Sequence, residues 1–403
     1  MRKVLPLLLC VVMLVSVFAA CGSKEPVTES PSQQVSTSQA APETSASTES
    51  QAPVELKKGL KVAYSVGYTG NAWRSQHVAS LQEAADAYLA DGTLAEFQIV
   101  DAGNDSTTQI SQCNALLAEG LDALLICAVS PTTMASVVEM GKSMGTLVIM
   151  ANDPAVYEGT YCVVNNAYKY SMLINRWAAT KLPSGSNVVY ISGNPGNGTD
   201  MIRDRAVYDA IDQFGWNLLA EAAGKRNQTE AQNVMSTFLS TYDNIDGVIC
   251  QNVTFEGVKA AYDNAGIDMP VVCGDSVLST VRMWGEMGDY ETVGVTNSPA
   301  ISVASLHFAV LMLQGYTVKS DVLVACPADG GEALINTVMI DPPVAITMDG
   351  TLPDDIMADY PNLTVYSRDE ALEQFADKED TYSPDIPLTR EQCIELWFDA
   401  PVA

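Results

Sequence analysis

The feature that most constrains this chain is an alternation. From residue 60 onward, short runs of apolar residues give way to longer stretches whose apolar positions recur at helical spacing, and the exchange repeats. Residues 247–275, GVICQNVTFEGVKAAYDNAGIDMPVVCGD, contain the whole unit. Gly247 to Cys250 is apolar without polar alternation, as a strand covered on both faces requires. Thr254 can cap the helix that follows, whose Val258, Ala261 and Ala265 share one face. Asn264 and Gly266 offer a left-handed stop, and Pro270 opens the next strand. Asn252 and Asp275 stand just past the two strand ends, on the side where open parallel sheets bind ligands.

The same rhythm predicts strands at 61–66, 97–100, 123–127, 147–150, 161–164, 187–191, 247–250, 271–273 and 292–295. Helical patterns lie between them, at 73–89, 107–119, 132–144, 168–180, 201–214, 230–241, 253–264 and 298–313. Such an order defines an α/β protein with parallel sheets and helices on both faces. About 290 residues is long for one sheet of this kind, so two doubly wound lobes are expected.

Before this body comes a different composition. Arg2 and Lys3 precede an unbroken apolar stretch, 4–20, laid out as an export signal. Phe18 is too large for simple cleavage after Ala20, whereas FAACG resembles a bacterial lipoprotein signal with Cys21 as the lipidated residue. An uncleaved anchor is the other reading, but the span is short for one. Either reading puts the rest outside the cytoplasm. Residues 22–54 are rich in Ser, Thr, Gln, Glu and Pro without an aromatic residue, which makes them a tether reaching ~30 Å.

The formal charge of −28, with no Lys/Arg cluster after the signal, argues against nucleic acid as a partner. Seven cysteines remain beyond Cys10 and Cys21; an odd number without paired spacing is neither a disulfide framework nor a zinc motif, so no metal is expected. Cys127, Cys162, Cys250 and Cys273 fall in apolar strand runs, where buried thiols are ordinary. The two histidines, His77 and His307, sit inside helical patterns and read as structural. GNPGNG at 193–198 follows a strand, but its glycine order is not a phosphate loop, and it reads as a strand–helix turn.

Six segments, in order, resemble the type I periplasmic sugar-binding proteins of the ribose-binding group: KVAYSVGYTGNAWRSQHVASLQEAADAY, DAGNDSTTQISQCNALLAEGLDALLICAVSP, VYISGNPGNGTDMIRDRAVYDAI, NVMSTFLSTYDNIDGVICQN, VVCGD and VTNSPAISVASLHFAVLMLQG. The resemblance covers residues 60–315. It implies two doubly wound parallel-sheet lobes joined by a three-stranded hinge, with crossings near Asn165 and Asn166, near 297–298 and within 315–321. It also implies a monomeric receptor without a cofactor, which hands a small sugar or polyol to an ABC permease from the outer face of the cytoplasmic membrane. The expected division is signal 1–20, tether 21–56, first lobe 57–165 with 298–318, second lobe 166–297 with 319–348, and extension 349–403.

The resemblance also points to site residues. In the turn GYTGNAWR, Asn71 supplies an amide and Trp73 a flat face for the C–H side of a sugar ring, or Trp73 is simply core. Asn152 and Asp153 stand where Asp-Arg is usual and form a hydroxyl clamp, or Asp153 before Pro154 only makes a turn. Arg203 matches the family's forked arginine, although Arg205 is close in register. Arg226 falls where an aromatic ring is common, as a cationic stack, a carboxylate or phosphate contact, or an exposed loop residue. Asn252, Asp275 and Asn297 match positions contributing amide, carboxylate and amide. With both signs present in the cleft, a neutral guest fits. A sensory receptor presenting its closed form to a membrane kinase is the alternative. An exported hydrolase lacks a nucleophile elbow or Ser–His pairing, so no enzyme is expected.

Overall fold

Burial along the first strand explains the layering. Val62, Tyr64 and Val66 join one apolar cluster and Ala63 another, so successive side chains feed opposite faces and both need helical cover. The structure, a computed structural model, describes residues 55–155, 157–251, 253–274, 276–327 and 334–401. Residues 1–54, with Cys21, lie outside the described residues, and so do Asn252 and Asp275.

The first lobe begins with β1 (Leu60–Val66), α1 (Ala72–Ala90), β2 (Leu94–Asp101), α2 (Ser106–Ala118), β3 (Ala123–Cys127), α3 (Ala135–Met144), β4 (Leu147–Ala151) and β5 (Tyr161–Asn165). The chain then enters the second lobe as α4 (Ala167–Ala179), β6 (Asn187–Ser192), α5 (Gly198–Phe214), β7 (Asn217–Ala223) and α6 (Gln228–Thr241). There follow β8 (Gly247–Cys250), α7 (Phe255–Ala265), β9 (Val271–Cys273), α8 (Leu278–Trp284) and β10 (Val293–Val295). Helix α9 (Ile301–Leu313), β11 (Thr317–Val318), β12 (Val324–Ala325) and β13 (Ile335–Ile340) return to the first lobe. The chain next supplies β14 (Val344–Thr347), α10 (Asp354–Asp359), β15 (Thr364–Ser367) and α11 (Arg368–Gln374) to the second lobe, and finally α12 (Arg390–Trp397) and β16 (Phe398–Asp399) to the first.

The first sheet has the order β12-β13-β5-β4-β3-β1-β2, parallel except for β12. In the second lobe, the parallel β7-β6-β8-β9 meets β10-β14-β15 through a bridge between Gly274 and Gly294. Val188 and Tyr190 face α4 and α5, while Val189 and Ile191 face α6 and α7. Both sheets are therefore wound on both sides. In the repeating unit, Gly266 ends α7 in the left-handed conformation at φ 65°, as expected. Thr254 stands at the N-cap, but its hydroxyl donates to the Gln251 carbonyl instead of capping.

Two expectations are corrected. Residues 319–348 do not close the second lobe as a block: β13 lies beside β5 in the first sheet, with Thr337 opposite Cys162 and Ile340 opposite Asn165. The third crossing is consequently not at 315–321. Tyr316 and Val318 pack on the first-lobe core, and β11 pairs with β16. The chain crosses instead at Asp341, Pro342 and Pro343, beside the first crossing, where Asn166 N–H donates to the Ile340 carbonyl at 2.7 Å. Lys169 holds Asp341 there at 2.6 Å. The extension divides too: β15 pairs with β14, and α12 covers α9.

Candidate functional site

On the first-lobe side, the turn after β1 sets the geometry. Gly67 allows that turn to press on its neighbour, since a Cβ there would lie 2.9 Å from Val129 N. Asn71 then caps α1, accepting from Arg74 N–H at 2.8 Å and donating to Tyr68 Oη at 3.0 Å. Trp73, the second residue of α1, donates its indole N–H to the Asn297 carbonyl at 2.8 Å and stacks on His77 with ring centres 5.0 Å apart. The Arg74 guanidinium lies 5.3 Å from the Tyr68 ring centre, 3.6 Å from the Asp153 carboxylate, and donates to Cys127 Sγ. Burial pushes the Cys127 thiol up to about 12, against the pull of Arg74.

On the second-lobe side the turn 193–198 does the equivalent work. Asn197 caps α5, and Asp200, almost fully buried, folds back to accept from Asn194 N–H at 2.7 Å. Arg226 donates to the same carboxylate, and Arg203 lies 3.9 Å from it. Arg203 is buried with its guanidinium 4.4 Å above the Tyr170 ring and donates to Gln251 Oε1 at 3.5 Å. Gln251 in turn donates to Tyr190 Oη at 2.8 Å, and Tyr190 to Asp204 at 2.6 Å. That chain of bonds fixes the amide that faces Arg203.

A cavity of about 440 Å³ lies between these two sets. It is lined by Asn71, Trp73, Asn152, Asp153, Arg203, Arg226 and Asn297, so seven of the nine residues singled out in the sequence come together. Asn252 and Asp275, the other two, lie outside the described residues. Arg205 is exposed and sits over Tyr168, which leaves Arg203 as the arginine of that pair at the cavity. Reasoning from sequence passed over Tyr68, Arg74, Asn165, Glu256, Thr381 and Ser383, which also line it. Arg74 was within reach, because it stands beside Trp73 in the same turn.

Backbone strain concentrates at the cavity. Of the five described non-glycine residues with left-handed φ, Asn152 (74°), Arg226 (53°) and Val253 (63°) all line it. For a β-branched residue such as Val253 this conformation is a true outlier, and outliers of this sort gather at ligand clamps. Among the described residues no group of three or more His, Cys, Asp or Glu side chains could hold a metal.

Two doubly wound lobes, repeatedly joined and both lining a cavity between them, define the class of two-lobed binding proteins. The periplasmic binding protein domain family matches residues 62–317, and the chain belongs to it. A xylitol-binding protein of Mycolicibacterium smegmatis is 26% identical over 267 residues, 63% of this chain and 74% of that protein. The ribose import binding protein RbsB of Bacillus subtilis is 27% identical over 177 residues, covering 43% of this chain and 57% of that protein. Among solved structures, an ABC transporter solute binding protein from Thermobispora bispora superposes with a TM-score of 0.58 at 22% identity, over 83% of this chain and 94% of the other. One from Bacillus halodurans with bound myo-inositol gives 0.57 at 19% identity, over 76% and 99%. These likenesses agree with the fold described above.

Proposed function

We propose that this chain is a solute-binding lipoprotein, anchored through Cys21, that captures a neutral sugar or polyol between its lobes and delivers it to an ABC permease. One observation carries the reading: the Trp73 ring from the first lobe and the Arg203 guanidinium from the second line the same cavity. A ring face suits the C–H side of a sugar, and a planar fork of donors suits adjacent hydroxyls. Charge favours a neutral guest, because Arg74 is matched by Asp153 and Arg226 by the buried Asp200. The volume falls within the range of about 300–1,000 Å³ common to small-molecule sites. Relatives named for xylitol and ribose support the same class.

A solute touching both lobes favours the closed arrangement by its differential affinity, which a permease can then read. Transport fits a binding protein rather than an enzyme. The test is thermal unfolding of the purified chain with D-ribose, xylitol, D-allose and myo-inositol. At one hundred times its Kd, the matching solute should add about 2.7 kcal/mol to stability, and Arg203→Ala should abolish the gain. No shift with any of them would falsify the reading.

A further inference from the structure

Beyond the family match at 62–317, the chain makes a fourth crossing between the lobes, from α11 through residues 375–389 to α12. Its middle runs along the cavity, and Thr381 and Ser383 are among the lining residues. We propose that residues 380–385 are a third wall of the solute site, and that the hydroxyls of Thr381 and Ser383 select which polyhydroxylated solute is held. This rests on the sugar or polyol reading above and adds to it a specificity element outside the two lobes.

The wall is anchored from three directions. From the second lobe, the start of α8 donates two main-chain bonds, Leu278 N–H to the Tyr382 carbonyl at 3.0 Å and Ser279 N–H to the Asp380 carbonyl at 2.8 Å. Arg282 pairs with Asp380. From the first lobe, the Gln76 amide grips Ser383 in both directions, donating to its carbonyl at 2.9 Å and accepting from its N–H at 3.0 Å. The second crossing holds the next residues: Thr296 Oγ1 donates to the Pro384 carbonyl at 2.6 Å, and Ser298 Oγ and Ala300 N–H each donate to Asp385 at 2.8 Å. Pro384 and Pro387 stiffen the stretch further, and a residue before proline is confined to extended backbone.

With both main-chain groups of Ser383 taken by Gln76, its hydroxyl is the polar group this residue has left for a guest. A hydroxyl donates and accepts, so Thr381 and Ser383 suit the hydroxyls of a polyol and offer nothing to a charged group that the arginines do not offer better. Held at once by both lobes and by a crossing segment, the wall presents those hydroxyls in a fixed position, which is what discrimination requires.

The experiment is calorimetric titration of the full chain with D-ribose, xylitol, D-allose and myo-inositol, comparing wild type with Thr381→Val/Ser383→Ala. The main-chain anchors survive these changes, so the melting temperature without solute should stay put. The double variant should bind the best wild-type solute at least tenfold more weakly and change the rank order of the four. Should it prove unstable, Thr381→Val alone, at an exposed position, should still change that order. Unchanged affinities and order overturn the inference while leaving the sugar or polyol reading intact. A wild-type chain that takes none of the four overturns both.

Discussion

A methyl group added at Gly193 would stand 2.4 Å from the carboxyl carbon of Asp200, so this buried acid has its place only because residue 193 lacks a side chain. Asp200 is what Arg226 leans on. Gly193→Ala should therefore displace Asp200, free Arg226 and weaken solute binding by roughly tenfold or more, since a hydrogen bond to a charged group is worth about 1.5–3 kcal/mol. Titration calorimetry against the wild-type chain checks it. His77 makes a different prediction. Its Nδ1 faces the Pro299 carbonyl at 2.8 Å and its Nε2 faces Tyr64 Oη, so the neutral ring, with Nδ1 protonated, satisfies both. Burial, with Arg74 nearby, pushes His77 down to about 3. The unfolded chain takes up the proton near 6.5, so the stability due to His77 is present above that pH and is lost as pH falls toward 3. Urea midpoints measured from pH 7 to 4 should fall for wild type and fall less for His77→Gln. Asn71 at the N-cap of α1, Trp73 in its first turn and Arg203 in α5 are singled out in the sequence by the resemblance of the segments around them, and all three line the cavity. Asp200 was hidden, since nothing local says that a first-turn aspartate will fold back under a glycine.

At the scale of elements, α9 is the outlier. It is apolar on every side, buried from Ile301 through Leu311, and lies against α1 and the first sheet. A helix of that kind needs cover on its outer face as well. The cover comes from α12 and β16, whose Trp397 and Phe398 lie 6.3 Å and 5.1 Å from the Phe308 ring centre. Trp397→Ala should cost about 3–5 kcal/mol, as for other buried aromatic truncations, and shift the urea midpoint accordingly. A C-terminal segment that merely lay on the surface would leave the midpoint unmoved. The central strands and most helices were readable from periodicity, because all-apolar runs and helical faces are strong local signals. The edge strand β7, NLLAEAA, was not: half-exposed, it mixes Ala, Leu and Glu in a way that favours a helix when read locally. Strand β13 falls in the block expected in the second lobe, since its pairing depends on contacts 175 residues away that leave no mark in INTVMI.

For the whole molecule, the number of links matters most. Four segments of described chain pass between the lobes, at Asn165 and Asn166, at 297–300, at Asp341 to Pro343 and at 375–389. Closure about so many links should be a small rotation rather than a wide swing. Small-angle X-ray scattering with and without a saturating solute should show a reproducible decrease in radius of gyration. A free chain of unchanged radius would mean that binding requires no hinge motion. The two-lobed division and the first two crossings could be anticipated from the alternation and the resemblance. The last two could not, because both lie in stretches where proline and short strands mask the pattern.

The interleaving has a consequence for how the chain is made. The first sheet, begun at Leu60, lacks β13 until residue 340 has been synthesised, and its longest buried helix is uncovered until residue 398. A nascent chain emerging from its amino end thus carries an unfinished first lobe until those residues have followed, and such long-range contacts form slowly.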